Sequence, residues 1–432
     1  MPMRHLARGS RALAIVIAGL LSACIPSVPK VDQVAVVWPA EAGAAVTLPM
    51  QRASGRWLVS VGFRRPDGSE RRALAWLNMA APAPILSEGL YRELGLAEGR
   101  DLTMRVGTIG VTVGGRAVID GPGRNGGRDL LDLLFAPRIV EAVLPAGVLR
   151  RFVVTVDPRA ASLTLARPGS LRPRGVPVPV RINPASGVAV VEARIDDRAV
   201  PLVLDVGAPY TWLRGRTVAT WIDRHPDWHR ADGAVGRSNL AMADLDLEPA
   251  GTLIRVPRLD LPGLSLPDVG ALGTGPLGGK LGEAAFGEAF WDSWQAGIGE
   301  PVVGWLGNNV LDDVRLTLDY AEGQSFWERQ RAARSDDLDG IGLTLVRHDT
   351  GYAVAAVATR QGRPLVPGVE AGDRLLRIDG QPLDGLPPDA VLATLSARPG
   401  GPRILELDRA GTAVRVEVEG ARSASRKQIC PC

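Results

Sequence analysis

Apolar and polar positions alternate with a period of two over several short stretches of this chain, each closed by turn-forming residues. Residues 56–63 (RWLVSVGF) and 188–195 (VAVVEARI) read as half-buried strands, and Asp196-Asp197-Arg198 reads as the hairpin turn after the second. Residues 253–257 and 266–269 pair as strands around Pro262-Gly263. Two runs are apolar without alternation, Leu74-Ala75-Trp76-Leu77 and Leu202-Val203-Leu204. The first runs into Asn78-Met79-Ala80-Ala81-Pro82 and the second into Asp205-Val206-Gly207-Ala208-Pro209. One half-structure is written twice.

The repetition continues downstream, where residues 143–157 (VLPAGVLRRFVVTVD) align with residues 305–319 (WLGNNVLDDVRLTLD). A single Asp-x-Gly is a common turn. Two ordered sets of strand, turn and closing segment are a far more specific signal. From Gly340 the pattern changes. Gly340-Ile341-Gly342-Leu343 leads into a strand, Gly372-Asp373 precedes another that ends in Ile378-Asp379-Gly380, residues 387–395 read as a helix, and residues 404–418 as a closing hairpin.

With 432 residues the chain has room for about three domains. Its 51 glycines and 34 prolines suit many short strands better than long helices. The net charge is +3 with both signs interspersed, which excludes the segregated basic face of a nucleic-acid binder. Of three cysteines, Cys430 and Cys432 lie in a C-terminal tail, so no disulfide framework holds the body together. At the other end Arg4, Arg8 and Arg11 precede a short apolar core and the sequence Leu21-Ser22-Ala23-Cys24. That is the form of an export signal, too short to span a bilayer.

The paired turns resemble the active-site loops of aspartic peptidases of the pepsin and retropepsin superfamily, and Trp305-Leu306-Gly307 resembles the loop that closes each lobe. This implies a mainly β fold of two tandem retropepsin-like β-barrel lobes, residues 46–166 and 178–327, joined by a linker at 167–177. Residues 338–420 resemble a bacterial PDZ domain, an α/β module. Its loop Gly340-Ile341-Gly342-Leu343 would take a peptide carboxylate on backbone N–H groups. The Leu-Ser-Ala-Cys ending resembles the lipobox of bacterial lipoproteins, which implies a signal peptide over residues 1–23, cleavage ahead of Cys24 and lipidation of its sulfur. An ordinary secretory signal is the alternative. Residues 24–45 would then be a tether and 421–432 a tail. The implied address is the cell envelope, lipid-anchored and facing the periplasm. The outer membrane is preferred, because Ile25 replaces the Asp associated with inner-membrane retention.

Aspartic peptidase chemistry needs two carboxylates sharing one proton, one activating water while the other acts as acid. Asp205 is the candidate catalytic carboxylate. Asn78 takes the partner position, where an amide serves as neither base nor acid. Val206 stands where the family carries a Thr or Ser whose hydroxyl braces the two loops. Met79-Ala80 and Leu144-Pro145 replace glycine-containing turns in the first lobe. Gly207, Ala208 and Gly307 keep the pattern in the second. The resemblance therefore implies a protein that handles polypeptide chains. It is either an aspartic endopeptidase using Asp205 or an inactive relative binding extended peptides and C-terminal tails. Two further readings are a pairing of second lobes across a homodimer and a scaffold that only presents the PDZ-like module. The plainest reading of Asp205 is a turn carboxylate bonded to nearby N–H groups.

Other chemistry finds little footing. His225 and His229 are four residues apart, but Pro226 stands between them, which favours a solvated helix end over a metal site. Gly273-Thr274-Gly275-Pro276-Leu277-Gly278 lacks the Ser or Thr after Lys280 and the βαβ frame that phosphate binding needs, so it reads as a loop. There is no G-x-S-x-G. Neither cofactor nor metal is expected. The expected partners are polypeptide substrates or tails, and a membrane reached through lipid on Cys24.

Overall fold

Asp196 and Asp197 take positive φ, 50° and 61°, so that Ile195 pairs directly with Arg198 across the expected two-residue hairpin. The flanking strands Ala189–Ile195 and Arg198–Leu204 form the start of the second lobe. The chain is seen here in a computed structural model that describes residues 34–41, 43–124, 127–239, 251–274, 286–332, 340–348, 351–395 and 402–418. The signal region, Cys24, the Gly275–Lys280 half of the glycine-rich run, residues 333–339 and both C-terminal cysteines lie outside the described residues. Among the described residues no helix is long and apolar enough to cross a membrane.

The molecule is mainly β, and the two halves of the repeat fold alike. In the first, Arg56–Arg64 pairs with Glu70–Asn78, which runs parallel to Ala142–Pro145. In the second, Ala189–Ile195 pairs with Arg198–Leu204, which runs parallel to Gly304–Leu306. The strands leading into Asn78 and Asp205 are buried on both faces near their ends, which is why they read as unbroken apolar runs. The parallel pairings bring Asn78 beside Pro145 and the Asp205 loop beside Gly307.

A single antiparallel sheet underlies both halves. Its strands run Ala45–Ala53, Ser162–Ala166, Val153–Asp157, Val314–Asp319, Gln324–Arg329 and Val176–Ile182, in that spatial order. At its centre Thr155 pairs with Thr317, residues that occupy equivalent positions in the aligned repeats, and their hydroxyls meet at 2.9 Å. A local two-fold axis therefore passes between them. One apolar core runs through both lobes, from Trp57 and Val59 through Met79, Val154 and Leu316 to Val206.

The C-terminal residues form a separate six-stranded antiparallel sheet, five strands in the order Leu343–His348, Gly351–Val357, Arg374–Ile378, Arg403–Arg409 and Thr412–Val418 and a short one, Gln381–Pro382, paired with Arg374–Ile378 off that path. It packs on the helix Pro388–Leu395 around its own core of Ile341, Leu343, Leu345, Tyr352, Val391 and Leu405.

Three boundaries differ from expectation. Val34–Val37, inside the expected tether, pairs with Ile109–Val113 as an edge strand. Its residues are alternately half-exposed and exposed, Val37 to 66%, so too little is buried for the pattern to stand out. Val176–Ile182 begins within the expected linker because it pairs with Gln324–Arg329. The strand expected from Gly340 starts at Leu343, because Leu343 N–H bonds back to Ile341 O and makes a tight turn first.

Candidate active site at the lobe interface

Asp205 ends the Arg198–Leu204 strand with its carboxylate buried at the seam between the lobes; the residue is 2% exposed. Its Oδ1 accepts from Gly207 N–H of its own loop at 2.8 Å and from Met79 N–H of the opposite loop at 2.9 Å. Burial pushes its pKa up to about 6, against the pull of N–H groups from Gly207, Met79 and Ala80 and of the Arg56 charge. Backbone amides and the Arg56 cation act on it, and burial together with its charge disfavours ionisation of the Tyr320 hydroxyl. No second carboxylate is among its partners in the described residues.

Asn78 faces it from the first lobe, and the loops are in close contact. A Cβ placed on Gly207 would come 2.8 Å from Asn78 Cα, so only glycine fits there. Asn78 Oδ1 accepts from Ala80 N–H at 2.9 Å and Ala81 N–H at 2.8 Å. The two equivalent side chains are thus held differently. Asn78 is bound wholly by its own loop, whereas Asp205 is gripped in part from across the interface.

Val206 cannot brace the loops by a hydroxyl, and the Asn308 amide and the Trp76 indole do so instead. Asn308 Nδ2 donates to Val206 O at 2.9 Å and to Gly55 O at 3.0 Å, while Trp76 Nε1 donates to Gly207 O at 3.1 Å. Ala208 O accepts from Asn308 N–H at 2.9 Å, and its first-lobe counterpart Ala81 O accepts from Ala146 N–H at 2.9 Å. Gly307 is needed for close approach, since a Cβ there would stand 2.2 Å from Tyr210 O. Its N–H donates to Thr211 Oγ1.

Arg56 was not singled out by its sequence position, yet it belongs to the site. It is 4% exposed and its guanidinium lies 5.5 Å from the Trp76 ring and 5.7 Å from the Phe135 ring, donating to Ser54 O. The only signal available was a basic residue opening an otherwise apolar strand.

Beside the paired loops, the Ser54-Gly55 turn lies over Pro209, leaving a crevice of about 220 Å³ lined by Ser54, Gly55, Pro209, Arg237, Asn239 and Asp389. The last of these comes from the C-terminal helix, so the C-terminal unit forms one wall of this crevice. In that unit Ile341 N–H goes to Leu395 O at 2.9 Å and Leu343 N–H to Ile341 O at 2.7 Å. Two of the four donors expected to cradle a carboxylate at Gly340-Ile341-Gly342-Leu343 are therefore taken up within the chain.

His225 and His229 go to different partners. His225 stacks on Trp228 at 4.3 Å and bonds Asp196, while His229 Nε2 lies 3.3 Å from an Arg360 nitrogen. Among the described residues no group of three or more His, Cys, Asp or Glu is placed to hold a metal ion. Chemically, the seam offers one dry carboxyl that changes charge near pH 6, one fixed amide and one buried guanidinium.

No family model matches the sequence, and no curated protein matches it. Solved structures do resemble the fold. An aspartic proteinase from Irpex lacteus is 12% identical, with a TM-score of 0.35, over 67% of this chain and 99% of its own. Conglutin gamma, a basic 7S globulin from lupine seeds, is 9% identical, with a TM-score of 0.39, over 66% and 95%. Basic 7S globulin from soybean is 10% identical, with a TM-score of 0.37, over 68% and 98%.

Proposed function

We propose that this chain holds extended polypeptide segments without cutting them. The observation that carries the reading is Asn78. Its amide oxygen is pinned by two N–H groups of its own loop, so the position opposite Asp205 offers no carboxyl to share a proton. Without a second carboxyl opposite Asp205 among the described residues, water at the seam lacks the carboxyl pair that would activate it. The C-terminal unit supplies a second polypeptide-handling surface of PDZ type, on the resemblance of its Gly340-Ile341-Gly342-Leu343 loop and its helix. The Cys24 motif supports a lipid-anchored place in the bacterial envelope, facing the periplasm.

One observation favours the endopeptidase instead. A carboxyl titrating near 6 remains partly protonated at mildly acid pH, as a catalytic acid must. Incubating the purified protein with unfolded casein from pH ~3 to ~7, where carboxyl pairs titrate, separates the two. The expected result is intact casein with wild type and Asp205→Asn alike, and casein binding by both. Cleavage that disappears in Asp205→Asn overturns the reading.

A further inference from the structure

We infer that the C-terminal unit is a latch, closed in cis over the crevice beside the Asp205 loop and with its own groove occupied by the second lobe. The inference of a gate for polypeptide rests on the proposed function; the latch itself does not. The unit touches the two lobes in different ways. Against the second lobe the contact combines an apolar cluster, a strand pairing and hydrogen bonds from Thr344 and Thr359. Trp212 and Leu253 share an apolar cluster with Ala358 and Leu365, and Asp232 pairs with Thr359, whose hydroxyl donates to the Asp232 carboxylate. Against the first lobe the hydrogen bonds among the described residues fall at two points. Asp389 accepts Ser54 N–H at 2.5 Å and Gly55 N–H at 2.7 Å, capping the turn that overlies Pro209. Arg347 donates to the carbonyls of Asp132, Leu133 and Ala136 at the end of the first-lobe helix Leu130–Phe135. The apolar cluster around Trp212 and Ala358 makes the second-lobe side the hinge, because water can replace the polar contacts to the first lobe but not that cluster.

The groove of the unit lies between the edge strand Leu343–His348 and the helix Pro388–Leu395, and residues 233–238 of the second lobe run along it. Thr344 Oγ1 donates to Ala234 O at 2.8 Å and accepts from Ala234 N–H at 3.1 Å, much as a neighbouring strand would. The backbone of Gly236 comes within 3.9 Å of where a Gly340 Cβ would stand, and the Gly236–Ser238 turn packs against the helix. An extended polypeptide bound between strand and helix has to displace this segment. The same helix carries Asp389, so displacement also loosens the cap on Ser54 and Gly55. The groove and the crevice open together.

Hydrogen exchange of the full chain, wild type beside Asp389→Ala and the double variant Asp389→Ala/Arg347→Ala, tests this. The expected result is exchange about tenfold faster or more at Ser54, Gly55 and residues 233–238, the scale of one lost charge-assisted hydrogen bond. The strands Arg374–Ile378 and Arg403–Arg409 should stay protected, showing that the unit is still folded. Unchanged exchange at residues 233–238 in the double variant overturns the latch. Fluorescein-labelled unfolded casein should bind the opened variants at least severalfold more tightly than wild type. Faster exchange with equal casein affinity overturns the gating. Faster exchange with no casein bound by any of the three proteins leaves the latch standing and overturns polypeptide binding.

Discussion

Asp205 concentrates the physics of the site in one side chain. Its ordinary value is 3.8 and burial raises it to about 6, so between those values the folded protein binds more protons than the unfolded chain. Stability from this group is therefore greatest below pH ~4, falls as pH rises towards ~6, and is flat above, a difference of about 3 kcal/mol at most. Asp205→Asn keeps the shape and an oxygen for Met79 and Gly207 but removes the charge. Urea unfolding should find the variant equal to wild type near pH 4 and more stable by up to about that amount near pH 7.5. A constant difference across pH would show that Asp205 does not titrate as its burial implies. The positions of Asp205 and Asn78 were legible because the residues around them repeat. Arg56 was not, because its burial depends on Trp76 and Phe135, which reach it from other elements.

Among elements, the two lobe-closing loops show how a repeat diverges without leaving loose ends. In the second lobe Thr211, Gly307 and Asn309 form one hydrogen-bonded unit. Thr211 N–H and Oγ1 both donate to Asn309 Oδ1, and Gly307 N–H donates to Thr211 Oγ1. The equivalent residues of the first lobe are Pro84, Pro145 and Gly147. Each change deletes a donor or acceptor whose partner is also gone. The first lobe thus lacks the whole bracing set rather than one member of it, so no buried donor is stranded and the lobe still folds. Removing one member alone should be costly. Thr211→Val leaves Gly307 N–H buried without an acceptor and should lower stability by about 1–3 kcal/mol in urea unfolding. A change within a few tenths of a kcal/mol would mean that water reaches the loop.

For the whole molecule, the six-stranded sheet decides that the lobes are one folding unit. Val153–Asp157 of one lobe pairs with Val314–Asp319 of the other, and the apolar core is continuous through both. Calorimetry should show a single transition for both lobes, and Thr211→Val in the second lobe should lower the melting of the first lobe equally. Separate lobe transitions would show that the central pairing is too weak to couple them. The C-terminal unit has its own core and is hydrogen-bonded to the first lobe through Asp389 and Arg347, contacts that water can replace at lower free energy than unfolding the unit costs.

Local chemistry already present along the chain was enough for the strands, the Asp196-Asp197 turn, the duplication and the equivalence of Asn78 with Asp205. Each of these depends on residues close in sequence, or on two stretches that resemble one another. Folding alone settled that Val34–Val37 joins a sheet edge, that Arg56 lies beneath the seam, and that Asp389 caps a turn in a lobe more than three hundred residues away. Those outcomes depend on which backbone N–H groups and rings meet across the tertiary interface, and periodicity carries no information about distant partners.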